Sequence, residues 1–116
     1  MTIVESNKMI AKFMGAKFAT HALKGTCWLP TYGVCNVDTI ELGKGKILEY
    51  HKSWDWLIPV VEKIEKQGCI IQISFSGITN CKITVGNFKE PIITVANTES
   101  QNSMDAIYSA IIDYIK

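Results

Sequence analysis

Arginine is absent from this chain of 116 residues; 12 lysines carry all the positive side-chain charge against 11 Asp and Glu, leaving a net charge of +1. Neither a basic excess nor the forked guanidinium that grips phosphates and guanine edges is present, so the composition argues against a nucleic-acid binder. No apolar run approaches the ~20 residues of a membrane helix, and the start lacks the basic-then-apolar layout of a secretion signal. The expectation is a soluble, cytoplasmic protein without membrane contact. Histidine is scarce, with only His21 and His51, which argues against a histidine-rich metal site. The four cysteines, Cys27, Cys35, Cys69 and Cys81, lack the paired Cys-x-x-Cys spacing of zinc sites and the density of a disulfide framework. Free thiols are expected, with Cys69 and Cys81 acting as small hydrophobes on strands. No linker tract, low-complexity run or internal repeat interrupts the chain, so a single domain spanning residues 1–116 is expected.

What is present is ordinary globular material, 47% hydrophobic and 20% charged. Its strongest organising stretch is Tyr50–Gly68. Trp54, Leu57, Ile58, Val61 and Ile64 recur at spacings of three and four, with Glu62, Lys63, Glu65 and Lys66 on the remaining surface, which predicts a helix buried on one side. Gly68 is placed to end it in the left-handed conformation. Ser53 and Asp55 both have the side chain of an N-cap. Asp55 puts Pro59 near the end of the first turn, whereas Ser53 puts it deeper, where it should bend the helix, so Asp55 is the predicted cap.

Elsewhere, Thr2 and Glu5 have the spacing of a capping box, and a helix from about Ile3 to Met14 should follow. Its predicted stripe is Ile3, Ile10, Phe13 and Met14, and Gly15 should stop it. Residues 16–33 show no clean period, although Pro30 with Gly33 suggests a turn. Val34–Leu42 and Lys46–His51 read as two strands of a hairpin closed by Gly43-Lys44-Gly45. After the central helix, strict alternation sets Cys69, Ile71, Ile73 and Phe75 against Gln72, Ser74 and Ser76. Strands around Cys81–Val85 and Ile92–Ala96 complete an antiparallel meander turned at Gly77–Asn80 and Gly86-Asn87. A polar loop, Asn97–Gln101, should lead to a last helix capped by Asn102, with Met104, Ile107, Tyr108, Ile111 and Ile115 as its stripe. The expected fold is α+β, a largely antiparallel sheet of about five strands with three amphipathic helices in the order α-β-β-α-β-β-β-α.

Three segments, Asn7–Gly15, Tyr50–Glu65 and Ala106–Lys116, resemble in that order small proteins from phages and prophages of Bacteroidetes-type bacteria, grouped as phage α/β/α sandwich-like domains. The middle one is the most specific, with its Tyr-His-Lys-Ser-Trp-Asp-Trp run from Tyr50 to Trp56 followed by Pro59. The resemblance covers about a third of the chain, including all three helices. It implies provenance and fold and carries over no functional residue.

The residues that point to chemistry gather at the same strand-to-helix junction. Tyr50, His51, Ser53 and Asp55 bring together a phenol, an imidazole, a hydroxyl and a carboxylate where acid–base groups and anion sites occur. The same residues also serve as caps and packing, and they do not assign a nucleophile, an orienting group and an oxyanion site. Trp54 and Trp56, two residues apart, cannot share one helical stripe, so one of them is expected at the helix mouth, available to stack on a ligand or anchor a partner; Trp56 is the one expected. Gly43-Lys44-Gly45-Lys46 lacks the helix that a phosphate-binding loop requires and reads as a turn. Gln72, Ser74, Ser76, Lys82 and Thr84 form a polar sheet face, either solvated or part of a modest interface.

These signals predict a non-catalytic phage or prophage accessory protein, without cofactor or metal. It would act by binding a host or phage protein or a small ligand, as a homo-oligomer. Tyr50, His51, Trp54, Asp55 and Trp56 are the candidate binding residues. The alternatives are a small hydrolase or nucleotide-handling enzyme centred on His51, Asp55 and Tyr50, and a virion structural component.

Overall fold

A computed structural model of the chain describes residues 2–18, 26–37, 46–85 and 93–116. These fall into two compact units, Met1–Tyr50 and His51–Lys116. The fold is α+β; among the described residues there are three helices, and the strands form two separate sheets instead of the expected one of about five.

The first unit opens with α1, Ile3–Phe13. The Thr2 hydroxyl accepts from the Glu5 amide at 3.1 Å, as the capping-box spacing predicts. The Glu5 side chain returns to that hydroxyl, 3.2 Å away. Past Met14, Gly15 takes φ +92°, a region closed to most side chains, and ends the helix. The buried positions are Ser6, Asn7, Ile10 and Ala11; of the predicted stripe Ile10 is buried, Phe13 and Met14 are half-buried and Ile3 is exposed. The buried Asn7 amide donates to the Leu48 carbonyl, satisfying a polar group inside the unit.

Four short strands follow: β1 (Lys17–Phe18), β2 (Thr26–Leu29), β3 (Gly33–Asn36) and β4 (Lys46–Ile47), in that spatial order. The Pro30–Gly33 turn is present and joins β2 to β3 as an antiparallel pair. The expected hairpin between residues 34–42 and 46–51 is not: β3 and β4 run parallel, with Cys35 beside Lys46 and Asn36 beside Ile47. A tight turn reverses the chain and so cannot join two strands that run in the same direction. The Gly43-Lys44-Gly45 segment and His21 lie outside the described residues. Cys27 and Cys35 face each other across β2 and β3, and both are buried free thiols. Burial, with the neighbouring Cys35 adding to it, pushes the Cys27 thiol up to about 11.

The second unit contains α2 (Trp54–Lys66), the meander β5 (Cys69–Phe75), β6 (Thr79–Val85) and β7 (Ile93–Ser100), and α3 (Ser103–Ile115). The meander is antiparallel throughout, as its alternation predicts, and Gly77 at φ +80° turns β5 into β6. The Gly86-Asn87 turn lies outside the described residues. β7 runs further than expected, because Asn97–Ser100, read from its polarity as a loop, pairs with β6. A strand needs backbone partners more than apolar side chains, and here Asn80 adds side-chain bonds to the Asn97 amide oxygen and the Thr98 carbonyl.

α3 packs on β6 and β7, and α2 on β5 and α3. Under α3, Cys81, Ile83 and Ala96 are buried against Ile107 and Ile111 of the predicted stripe, with Ala106, Ala110 and Ile112 completing the covered face. Each fully buried isoleucine contributes about 1.5–3 kcal/mol relative to remaining exposed. At the far end of α3, the Cys69 thiol donates to the Tyr114 hydroxyl, which donates to the Gln67 side chain, tying the start of β5 to the helix.

Candidate functional site

Two helix starts build the site. The cap of α2 is Ser53, not the expected Asp55. Its carbonyl accepts from the amides of Trp56 at 3.2 Å and Leu57 at 3.1 Å, while its hydroxyl makes no capping bond. The helix therefore starts earlier than Asp55 would allow and takes Pro59 into its interior, where the ring supplies no amide to the ladder. The buried side is Trp56, Leu57, Val60 and Ile64, an arc of about 100°. Trp54 and Ile58 of the predicted stripe lie outside it, 43% and 45% exposed.

The rotation exchanges the roles of the two tryptophans. Trp56, expected at the helix mouth, is 6% exposed and belongs to the core, and Trp54 is the indole at the surface. Every side of the segment from Trp54 to Val61 carries an apolar residue, so periodicity alone does not say which side is buried.

At the start of α3 the Asn102 side chain accepts from the amides of Met104 at 2.9 Å and Asp105 at 3.2 Å, the predicted cap. The Ser103 hydroxyl meets that of Thr79 at 2.8 Å, pinning this helix end to β6. Between the two starts lies an open cleft of about 430 Å³. His51, Lys52 and Trp54 contribute to it from the approach to α2, and Asn102 to Asp105 from α3. The His51 ring stands edge-on to Tyr108, with centroids 6.4 Å apart and planes at 64°, which orients the imidazole.

Of the five residues singled out by sequence, His51 and Trp54 meet in this cleft. Asp55 is exposed on the first turn of α2, and Trp56 is buried beneath it. Tyr50 is buried in the first unit, where desolvation, with Tyr32, Cys27 and Cys35 nearby, pushes its phenol well above the ordinary range. Lys52, Ser103, Met104 and Asp105 were not singled out by sequence as site residues. The legible signal was the Asn102 cap, which marks where α3 begins but not that this start lies beside the approach to α2. The cleft combines an indole face, a thioether, an imidazole, an ammonium and a carboxylate, a set suited to holding a planar ring with polar substituents.

Among the described residues no buried side-chain nitrogen or oxygen lacks a hydrogen-bond partner, and no three His, Cys, Asp or Glu side chains converge as a metal-ligand set. No helix among them is long and apolar enough to cross a membrane. No protein-family model, curated protein or solved structure matches the chain.

Proposed function

We propose that this chain is a non-catalytic phage or prophage accessory protein that self-associates and acts by binding, with the cleft at the starts of α2 and α3 as its ligand site. The observation that carries the reading is Trp54, a large indole left 43% exposed on the lip of a cleft of about 430 Å³. That volume lies within the range of small-molecule sites, and an exposed indole loses little conformational freedom when a ring stacks on it. The ligand is a small molecule or a protein side chain with a planar group for Trp54 and polar atoms for Lys52, Ser103 and Asp105. The phage setting rests on the resemblance of the three helical segments.

The test is native mass spectrometry of the protein purified from its own host, comparing gentle with denaturing conditions. A retained molecule or partner in wild type that is lost in Trp54→Ala, with the fold intact by circular dichroism, is the expected result. Unchanged binding in that variant overturns the cleft assignment. Turnover of a nucleotide or ester that disappears in folded His51→Ala overturns the non-catalytic reading in favour of a hydrolase.

A further inference from the structure

The second sheet has two edges of different chemistry. β7 ends in a polar segment, Asn97–Ser100, that includes Glu99, and the register shift of the sheet lies on its side, between Ile83 and Thr84 of β6. β5 has none of these features. Its seven residues, Cys69–Phe75, pair with β6 in unbroken register and contain no charge and no proline, and β6 is its one strand neighbour among the described residues. The neutral stretch is longer than the strand, since residues 67–81 carry no charged side chain at all. Sheet edges in soluble proteins are ordinarily blunted by lysines, prolines, bulges or a covering element, because an open row of amides and carbonyls is a template for another strand.

The side chains add direction. Ile73 is 38% exposed and Phe75 70% exposed on the face that, one strand over, is buried at Cys81 and Ile83. Ile78, in the turn beyond β5, is also exposed.

We propose that two copies of this chain pair through β5, antiparallel across a two-fold axis, joining two three-stranded sheets into one of six strands. A two-fold axis perpendicular to the sheet keeps equivalent faces on the same side, so Ile73 and Phe75 of both copies extend one apolar surface across the join. Charge is what selects a second copy as the occupant. In antiparallel self-pairing every residue of β5 meets another residue of β5, and a single Lys or Glu would bring like charges close to the axis; this strand contains none. The inference deepens the self-association part of the proposed function and is independent of the cleft.

The test is sedimentation equilibrium of the full chain from micromolar to millimolar concentration, for wild type, Phe75→Lys and Ile73→Lys, with hydrogen exchange read at the β5 amides. The expected wild type is a dimer in which the alternate amides of Ile70–Ser74 that do not bond to β6 gain protection as it assembles. The expected variants keep the wild-type thermal midpoint at concentrations where both are monomeric, and their dimers dissociate roughly tenfold or more readily, because each dimer brings two lysines to the join. Should either substitution disturb folding, the wild-type exchange decides on its own: β5 amides equally protected in monomer and dimer overturn the proposal. A wild type that stays monomeric throughout overturns both the β5 pairing and self-association. A dimer indifferent to both substitutions, with no protection gained at β5, overturns the β5 edge and leaves self-association standing. Recovery of β5 in a complex with a different protein instead of a second copy also overturns it.

Discussion

One face of the second sheet behaves in two ways. On β6 and β7 it is roofed by α3, and Cys81, Ile83 and Ala96 are buried; on β5, where α2 packs, Cys69 is buried and Ile71 half-buried, but the same face lies open at Ile73 and Phe75. The alternation of residues is as regular in the open half as in the covered half. Periodicity therefore reports which side of a strand is apolar, while the layer that covers it is decided by the reach of a helix elsewhere in the chain.

The sharpest way to break this comparison is to truncate one residue in each half. Ile83→Ala, under α3, should cost about 2–5 kcal/mol of unfolding free energy, from lost transfer and the cavity left behind. Phe75→Ala, in the open half, should change the stability of the monomer by no more than about 0.5 kcal/mol, despite the larger side chain removed. Urea unfolding at a concentration low enough to keep the protein monomeric measures both. Equal costs would mean that β5 is covered after all.

A smaller contrast separates the two helix starts of the cleft. Asn102→Ala removes a side chain that accepts from two amides and should lower stability by about 1 kcal/mol. Ser53→Ala removes a hydroxyl that makes no capping bond and should be neutral within a few tenths of a kcal/mol. Thermal unfolding of the pair distinguishes them, and a reversed order would show that Ser53, not Asn102, holds its helix by a side-chain bond.

The smallest expected effect is a pH dependence. Burial raises Cys27 and Cys81 from the usual 9.0 to about 11. The folded state thus holds its thiol protons more tightly than the unfolded chain. This contribution to stability is fully present below about pH 9, declines as pH rises and is gone above about pH 11. The urea midpoint should fall over that window, and Cys81→Ala should fall less steeply than wild type, a difference that isolates the thiol from the lysines and tyrosines titrating nearby. Parallel slopes would remove Cys81 as a cause.

Much of the local structure was legible because its causes are local. The Thr2 and Asn102 caps, the stops after Met14 and Gln67, and the period of the meander each depend on residues within a turn or a strand of one another. The rotation of α2 was not, since an apolar run that surrounds the helix fits several burial faces equally well. Nor was the partnership of β3, which pairs antiparallel with β2 before it and parallel with β4 after it. Asn97–Ser100 has the polarity of a loop, but its backbone pairs with β6 and makes it a strand, which side-chain polarity does not report. At the candidate site, the sequence identified His51 and Trp54 correctly as neighbours of a helix start, but chose the wrong tryptophan for exposure.

Composition and spacing by themselves determined the α+β class, the three helices with two of their caps, and the antiparallel meander, because hydrogen-bond capping and side-chain periodicity act over a few residues. Tertiary structure alone decided that the strands divide into two sheets, that Cys27 faces Cys35, that Trp54 and not Trp56 borders the cleft, and that the apolar face of β5 opens at Ile73 and Phe75. Each of those outcomes depends on which surfaces meet across long stretches of chain, and burial free energy, being non-directional, leaves that choice to the packing of the whole unit.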